Sequence, residues 1–487
     1  ITVDATAAGT PLSRSWELAI GSGDAWSLLR ADLQAQLRRA VAECGFRYLR
    51  CHGILCDQLQ AVRRTRQGEL VYNWQLVDDV QDALLELGLR PFVELAFMPS
   101  ALASGDRTVF HYRANVTPPR SYDEWNDLIR ALVAHWLDRY GADEVHRWYF
   151  EVWNEANLSS FWTGTRDDYF RLYAETARTL KALDPALRVG GPASCRAEWL
   201  PEFIGWCRER GVPFDFISPH VYPDDDEFER VDPSYREVFN RGDYLETVVE
   251  RATESVAALA PGHEMHWTEW NSSWRWGRPI HDETNQAAYI CRAIHRTQHL
   301  VDSFAYWTVS DIFNEFPYPR GALVGGFGLF AIDGLPKPAY HAYTLLHRLG
   351  DVELPAAVSE VDHVGQRLDC WATRSGAGWQ VLLANYTPPG QASPATLTAE
   401  VALREVGAVT PLRVTEYRID DHHANLRGAW EAMGSPETPT RAQVDALAAA
   451  AALRPAEWDA VADGSGTATL RVALPPGSTV LLDVVAG

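Results

Sequence analysis

Hydrophobic and polar positions alternate along the chain in two textures. Short runs such as "PFVELAF" (91–97) and "WYFEVWN" (148–154) are apolar almost throughout, the pattern of strands buried on both faces. Between them lie longer stretches in which apolar residues recur three and four apart. In "WQLVDDVQDALLELG" these are Leu76, Val80, Leu84 and Leu85, and Gly88 supplies a left-handed stop. In "SYDEWNDLIRALVAHWLDRY" Ser121 and Glu124 stand at capping-box spacing, which predicts a helix start. Taken in order, "SWELAIG", "RYLRCHG", "PFVELAF", "WYFEVWN", "LRVGGP", "FDFISPHVY", "EMHWTEW" and "FAYWTVS" make eight strand candidates, each followed by a helical pattern or a long loop. Strict alternation predicts a parallel sheet, and eight units predict closure into a (β/α)8 TIM barrel of about 250 residues before insertions.

An open doubly wound sheet is the rival α/β fold. It would carry a glycine fingerprint after its first strand, but "AIGSGDAW" lacks the third glycine. The later "GGFGLFAIDG" runs on to Gly334 and Pro336 instead of into a helix, so no cofactor is expected. Beyond "PKPAYHAYTLLHRLG" the texture becomes alternating strands and turns, in "VGQRLDCWATRSG", "GWQVLLANYT", "PLRVTEYRID" and "TATLRVALPPGSTVLLDVV". One segment dissents, since "TRAQVDALAAAAALRPAEWDA" reads as a helix. The expected organisation is a barrel over residues 10–345 and an accessory β-sandwich over 346–487, with residues 1–9 available to complete the sandwich.

Composition narrows the partners. At 487 residues, with 46% hydrophobic and 22% charged content, the chain has the make-up of a multidomain globular protein. A net charge of −21 argues against nucleic acid and anionic membranes. Nineteen tryptophans hint at carbohydrate, because aromatic faces stack on sugar rings. The seven cysteines show no framework spacing, and Cys51 and Cys56 lack a second pair at ligand spacing, so neither disulfides nor zinc are expected. His422 and His423 are adjacent and point apart in most backbones, so no metal is expected there. The N-terminal stretch shows no signal-peptide pattern and no run approaches a membrane span, which together with the cysteines suggests a cytoplasmic setting. A homo-oligomer is compatible with the sequence.

Barrel chemistry sits at the C-terminal ends of the strands. There the sequence places His52, Glu94, Asn154 and Glu155, His220 and Tyr222, Glu269 and Asn271, then Trp307 and Asp311, with Glu315 in the loop that follows. Glu155 and Glu269 end strands three βα units apart, facing each other across the mouth. Two facing carboxyls are what glycosidic hydrolysis needs, one to protonate the departing oxygen and one to meet the anomeric carbon. Each residue also has an ordinary reading. Glu94 suits a structural acid pairing with Arg50 or His52, His52 a satisfied core histidine, His220 a turn anchor and Asp311 an orienting group. Phe161 and Trp162 could stack on the leaving group or simply pack a loop, as could Trp274 and Trp276.

The segments "RCHGILCD", "RPFVELAFMPSALASG", "NVTPP", "FEVWNEANL", "VGGPASC", "HWTEWNSS", "VDSFAYWTVSDIF" and "GGFGLFAIDGLPKP" resemble glycoside hydrolase family 39, and within it the bacterial β-xylosidases. The resemblance runs in order over most of residues 10–345 and weakens in the β-rich part. It implies a clan A barrel, a retaining mechanism and a small-molecule carbohydrate substrate. By position it implies Glu155 as general acid/base, Glu269 as nucleophile, and Asn154 as donor to the sugar 2-hydroxyl. It also implies a sugar subsite lined by His52, His220, Tyr222 and Glu315. One departure is Ala156, where the family motif usually carries proline, and a slightly looser turn is expected there. Xylose lacks a C6 group, so bulk from Phe313, Glu315 and Phe327 could close the pocket around C5. The expected activity is exo-acting β-D-xylosidase. An α-L-iduronidase-like activity would want an arginine near the substrate carboxylate, where Arg275, Arg278 and Arg320 leave an opening and Glu315 would repel. A non-catalytic carbohydrate-binding barrel is the reading from another class, disfavoured because both acids and Asn154 are present.

Overall fold

The computed structural model describes residues 1–227, 242–317, 321–359, 367–376, 378–388 and 395–487. Arg320 of the sequence reading lies outside them. Eight parallel strands close into a barrel: β1 (Ala19–Asp24), β2 (Tyr48–His52), β3 (Arg90–Leu95), β4 (Tyr149–Val152), β5 (Arg188–Ser194), β6 (Phe216–Val221), β7 (Glu264–Trp270) and β8 (Ser303–Tyr306). Each pairs with its sequence neighbour, and Tyr306 of β8 opposite Ile20 of β1 completes the ring. Among the described residues no helix is long and apolar enough to cross a membrane.

Alternation along each strand sorts the barrel interior into layers. The N-terminal layer is aromatic: Phe92 stacks on Tyr149 at 4.8 Å, and Phe216 and His266 meet both edge-on. Two residues further along, the same faces carry Arg50, Glu94, Glu151 and Thr268, all buried. The aromatic plug keeps water from below, so this polar layer must satisfy itself. The third layer, at the strand ends, holds the chemistry described below.

The helix after β2, Gln75–Glu86, stops before Gly88 at φ 81°, as its pattern predicts. The capping box at Ser121 is only half formed. The Ser121 side chain accepts from Glu124 N–H, but the Glu124 carboxylate turns away to Arg64 at 2.7 and 2.9 Å, because a cation outcompetes a backbone donor. The helical reading of the late dissenting segment also needs correction. A helix covers Arg441–Ala451, and Ala456–Val461 is a strand antiparallel to Pro411–Ile419. Pro455 biases its predecessor to extended backbone, and "AEWDAV" then alternates as an edge strand should.

Two sheets form the sandwich. The larger orders Thr10–Pro11, Val352–Leu354, Arg367–Ser375, Gly378–Tyr386, Ser478–Ala486, Pro411–Ile419 and Ala456–Val461. The smaller orders Ala356–Ala357, Thr2–Asp4, Leu397–Arg404 and Ala468–Leu474. Val381, Leu383, Val401, Leu403, Leu470 and Val480 fill the core between them. The sandwich is riveted to the barrel through the helix Thr284–Thr297. There Arg292 binds Asp369 of the sandwich, Asp243 at 2.7 Å and Glu246 at 3.3 Å, while Arg296 reaches Asp369 at 3.0 Å. Burial opposes the Asp369 charge, but His295, Arg292 and Arg296 hold its pKa down at about 2.

Removing Arg292 would leave Glu246 without its cation in the interface and Asp369 with only Arg296 and His295. Arg292→Ala is expected to lower stability by about 3–5 kcal/mol, read as a lower urea midpoint. An unchanged midpoint would show that the rivet carries no stability.

Candidate active site

The site is built around one guanidinium. Arg50 leaves the middle of an otherwise apolar strand and is completely buried. It donates through Nε to Glu151 at 2.6 Å, through Nη1 to Glu269 at 2.7 Å, and through Nη2 to Asn154 Oδ1 at 2.9 Å, with Glu94 at 2.8 Å. Burial works against its charge, but Glu151, Glu94 and Glu269 hold its pKa well above the ordinary arginine value. Glu94 also meets His52 Nδ1 at 2.6 Å, so both partners weighed for it are present. With Nδ1 taken up by Glu94, His52 turns Nε2 to the pocket, 3.6 Å from both Glu269 and Glu315.

Glu155 and Glu269 are brought together across the mouth. One oxygen of each and a ring nitrogen of His220 lie within 4.8 Å of one another. A divalent cation could bridge this trio, but it would occupy the space between the two carboxyls. Glu269 Oε1 receives Arg50, and Oε2 receives the Tyr222 hydroxyl at 2.8 Å. His220 sides with Glu155: its Nδ1 lies 3.0 Å from Glu155 Oε1 and 3.7 Å from Glu269 Oε2. The two carboxyls therefore sit in different company. Burial pushes Glu155 up to about 7, opposed by Arg50 and Arg196. Burial likewise pushes His220 down to about 4.

The chain reaches this geometry through a tight, strained turn. Trp153 and Glu155 both take positive φ, 71° and 44°, a region that side chains rarely adopt. Glu155 N–H donates to Ala193 O at 2.8 Å, and the Asn157 amide exchanges two 3.0 Å bonds with the backbone of Cys195. These bonds to the β5 end pin the turn at Ala156, so proline is not needed to hold it.

The remaining walls are aromatic. Trp307 lies 4.6 Å from the His52 ring, and Phe313 stacks on Trp276 at 5.1 Å with Phe327 edge-on at 5.5 Å. Near Phe313, Glu315 has its pKa raised well above the ordinary value, by burial first and then by Glu269 and Asp24. That shift favours the neutral acid and so weakens the repulsion expected of it. Phe161 stands one aromatic layer out, 5.4 Å from Phe110, which in turn stacks on His52 at 5.7 Å. Trp162 turns inward and donates to Thr165 O. Asp311 and Asn271 serve the scaffold. Asp311 is held by Lys337 and Gly328 N–H, and Asn271 by Gln286 and Trp307 O. His423 is tied to Asp420 at 2.7 Å.

The family model "Glycosyl hydrolases family 39" matches residues 1–462. The chain belongs to glycosyl hydrolase family 39. Among family 39 relatives, the β-xylosidase of Caldicellulosiruptor saccharolyticus is 39% identical, aligned over 91% of this chain and 89% of its own length. That of Geobacillus stearothermophilus is 38% identical over 90% and 86%. The crystal structure of the family 39 enzyme from Xanthomonas axonopodis pv. citri superposes with a TM-score of 0.89 at 33% identity, covering 100% of this chain and 97% of that one.

Sequence reasoning missed the centre of this family 39 site. Arg50 was named only as a partner for Glu94, Glu151 and Thr268 were signalled only as polar residues inside buried strands, and Gly21 only as a glycine in β1. A Cβ on Gly21 would stand 2.6 Å from Trp307 Cε3 and 3.0 Å from Tyr306 O. Gly21→Ala is therefore expected to push Trp307 into the pocket. Overpacking should cost about 1–3 kcal/mol in thermal unfolding, and the misplaced wall about 10²-fold in kcat/KM. Wild-type kinetics in a folded Gly21→Ala protein would remove Trp307 from the site.

Proposed function

We propose that this family 39 chain is a retaining, exo-acting β-D-xylosidase that releases xylose from the non-reducing end of xylooligosaccharides or β-xylosides, with Glu269 as nucleophile and Glu155 as acid/base. The observation that carries the mechanism is the approach of the two carboxyls to within 4.8 Å. One oxygen of each makes that approach, which supports the roughly 5–5.5 Å carboxyl separation of retaining glycosidases over the roughly 6.5–9.5 Å that would admit a water for inversion. The β-xylosidase names and near-complete coverage of the relatives support the sugar and the exo action.

In the first step a Glu269 oxygen attacks the anomeric carbon, the glycosidic C–O bond breaks, and the Glu155 proton passes to the leaving oxygen. Burial keeps that proton in place near neutral pH. Asn154 has its Oδ1 committed to Arg50, which leaves its Nδ2–H to donate to the sugar 2-hydroxyl. In the second step Glu155 takes a proton from water, the hydroxide oxygen bonds to the anomeric carbon, and Glu269 leaves as a carboxylate. Phe313, packed edge-on against Trp307 and Phe327, supports the reading that Phe313, Glu315 and Phe327 close the pocket around C5 of a sugar without C6. A carboxylate substrate would want a guanidinium, yet Arg50 is committed to its four partners and Arg275 lies over Trp274, 3.9 Å from Asp224. The seven buried, unpaired cysteines support a reducing, cytoplasmic setting.

The protein should hydrolyse p-nitrophenyl β-D-xyloside faster than the β-glucoside, α-arabinoside and α-iduronide, and proton NMR should show β-xylose as the first product. α-Xylose first would exclude retention. Glu269→Ala should be inactive on all substrates, whereas Glu155→Ala should spare 2,4-dinitrophenyl β-xyloside, whose leaving group needs no proton. Equal loss on activated and unactivated glycosides would overturn the Glu155 assignment. Loss of the Glu155 proton should make kcat/KM on phenyl β-xyloside fall above about pH 7, and that limb should vanish on the dinitrophenyl substrate.

A further inference from the structure

Beneath the two acids runs a chain of hydrogen bonds that the catalytic steps above do not use. Arg50 Nε donates to Glu151 Oε2 at 2.6 Å, and Thr268 Oγ1 donates to Glu151 Oε1 at 2.8 Å. Thr268 Oγ1 lies 3.0 Å from His220 Nε2, and His220 Nδ1 lies 3.0 Å from Glu155 Oε1. Glu151, Thr268 and His220 are all completely buried, so no water shares these bonds by exchange with solvent.

Counting protons gives the chain a direction. Glu151 already holds the Arg50 cation, so as a carboxylate it can only accept. A threonine hydroxyl has one proton, and Thr268 gives it to Glu151. What Thr268 has left is lone pairs, so its contact with His220 requires Nε2–H as donor. A neutral imidazole carries one N–H, and which nitrogen holds it is set by the bond the other makes. His220 Nδ1 is then a bare lone pair, and the only proton that can lie between it and Glu155 is the acid's own.

We propose that Thr268, held by Glu151, is a positioning residue that fixes His220 as the Nε2–H tautomer, so that His220 accepts from Glu155 and never donates to it. The inference rests on Glu155 being the acid/base. A hydrogen bond to the neutral form of an acid holds the proton on it, and one to the charged form strips it away. The fixed tautomer therefore favours the protonated Glu155 needed for leaving-group protonation. In the glycosyl-enzyme the same lone pair faces an ionised Glu155 without donating, which preserves its appetite for the proton of water. The tautomer also denies His220 any donation to Glu269, so Arg50 and Tyr222 hold the nucleophile.

The charged surroundings do not supply this bias themselves. His220 faces Glu269 and Tyr222 from the mouth, His52 from β2, and the Arg50–Glu151 pair from below. Glu155 faces Arg196 and Cys195 from the β5 end, and Arg50 and Glu94 from the barrel floor. The two arginines favour its ionised form, the opposite of what the first step needs.

Thr268→Val keeps the shape of the side chain and removes the hydroxyl. Free of its partner, His220 is expected to take the Nδ1–H tautomer and donate to Glu155, which lowers the basic limb of kcat/KM on phenyl β-xyloside by about one pH unit, a tenfold loss above the limb. On 2,4-dinitrophenyl β-xyloside, kcat/KM should stay within about twofold of wild type, and Thr268→Ser should restore both profiles. Equal loss on the two substrates with an unmoved limb, or failure of serine to rescue, would overturn the proposal. Failure of Glu155→Ala to spare the dinitrophenyl substrate would instead remove the acid/base reading on which it rests. Should Thr268→Val not fold, 15N spectra of histidine-labelled native protein decide the matter. A neutral imidazole protonated at Nε2, absent from His220→Gln, is expected at pH 7, and protonation at Nδ1 overturns the assignment.

Discussion

One buried arginine sets the terms for everything at the barrel mouth. Arg50 brings a single positive charge into a dry interior where Glu94, Glu151, Glu155, Glu269 and Glu315 all converge. One cation cannot balance five carboxylates, so several must keep their protons. Burial, opposed by Arg50, pushes Glu94 up to about 8 and Glu155 to about 7, and burial raises Glu315 as well. Contact with Arg50 alone does not sort the carboxyls, since Glu94 touches it at 2.8 Å and is raised all the same; the full set of neighbours does. Glu269 touches the guanidinium and a phenol, both donors. Glu155 touches an imidazole nitrogen and the end of the next strand. Two identical side chains are made unlike by their neighbours, which is what acid and nucleophile require.

The layering of the barrel makes this arrangement possible. An aromatic plug of Phe92, Tyr149, Phe216 and His266 seals the bottom, a polar layer sits on it, and the reacting groups stand on the polar layer. Because strand residues alternate, Arg50 and His52 share one inward face, as do Glu94 and Phe92. The spacing that buries the plug also aims the catalytic ring. The register supports it across strands: Glu94 lies opposite Glu151, and His220 opposite Glu269.

The architecture was legible in the sequence because its signals are repeated. Eight apolar runs with helical stretches between them leave few folds open, and the strand ends collect polar and aromatic residues where turns would favour glycine and asparagine. The acids and their immediate companions stood out for the same reason. What the sequence hid were choices between partners. Nothing in "RYLRCHG" says that Arg50 reaches four side chains from three other strands or their ends, because those contacts depend on barrel closure. His220 was equally able to serve either acid, and the structure assigns it to Glu155. Ser121 and Glu124 had the right spacing for a reciprocal cap, but Arg64 arrived from a distant hairpin. The helix read through residue 460 stopped short because a proline and an available sheet edge outweighed alanine propensity.

The sandwich carries a consequence for how the molecule is made. Thr2–Asp4 lies between Ala356–Ala357 and Leu397–Arg404, parallel to the latter. A ribosome emits Asp4 long before Leu397, and at its ordinary pace the interval is on the order of 20–80 s. Throughout most of that time Thr2–Asp4 has no sheet to join, while the barrel strands emerge and are free to pair among themselves. Its pairing waits on sandwich strands that come more than 350 residues later, so the sandwich can close only after the barrel segments are all made.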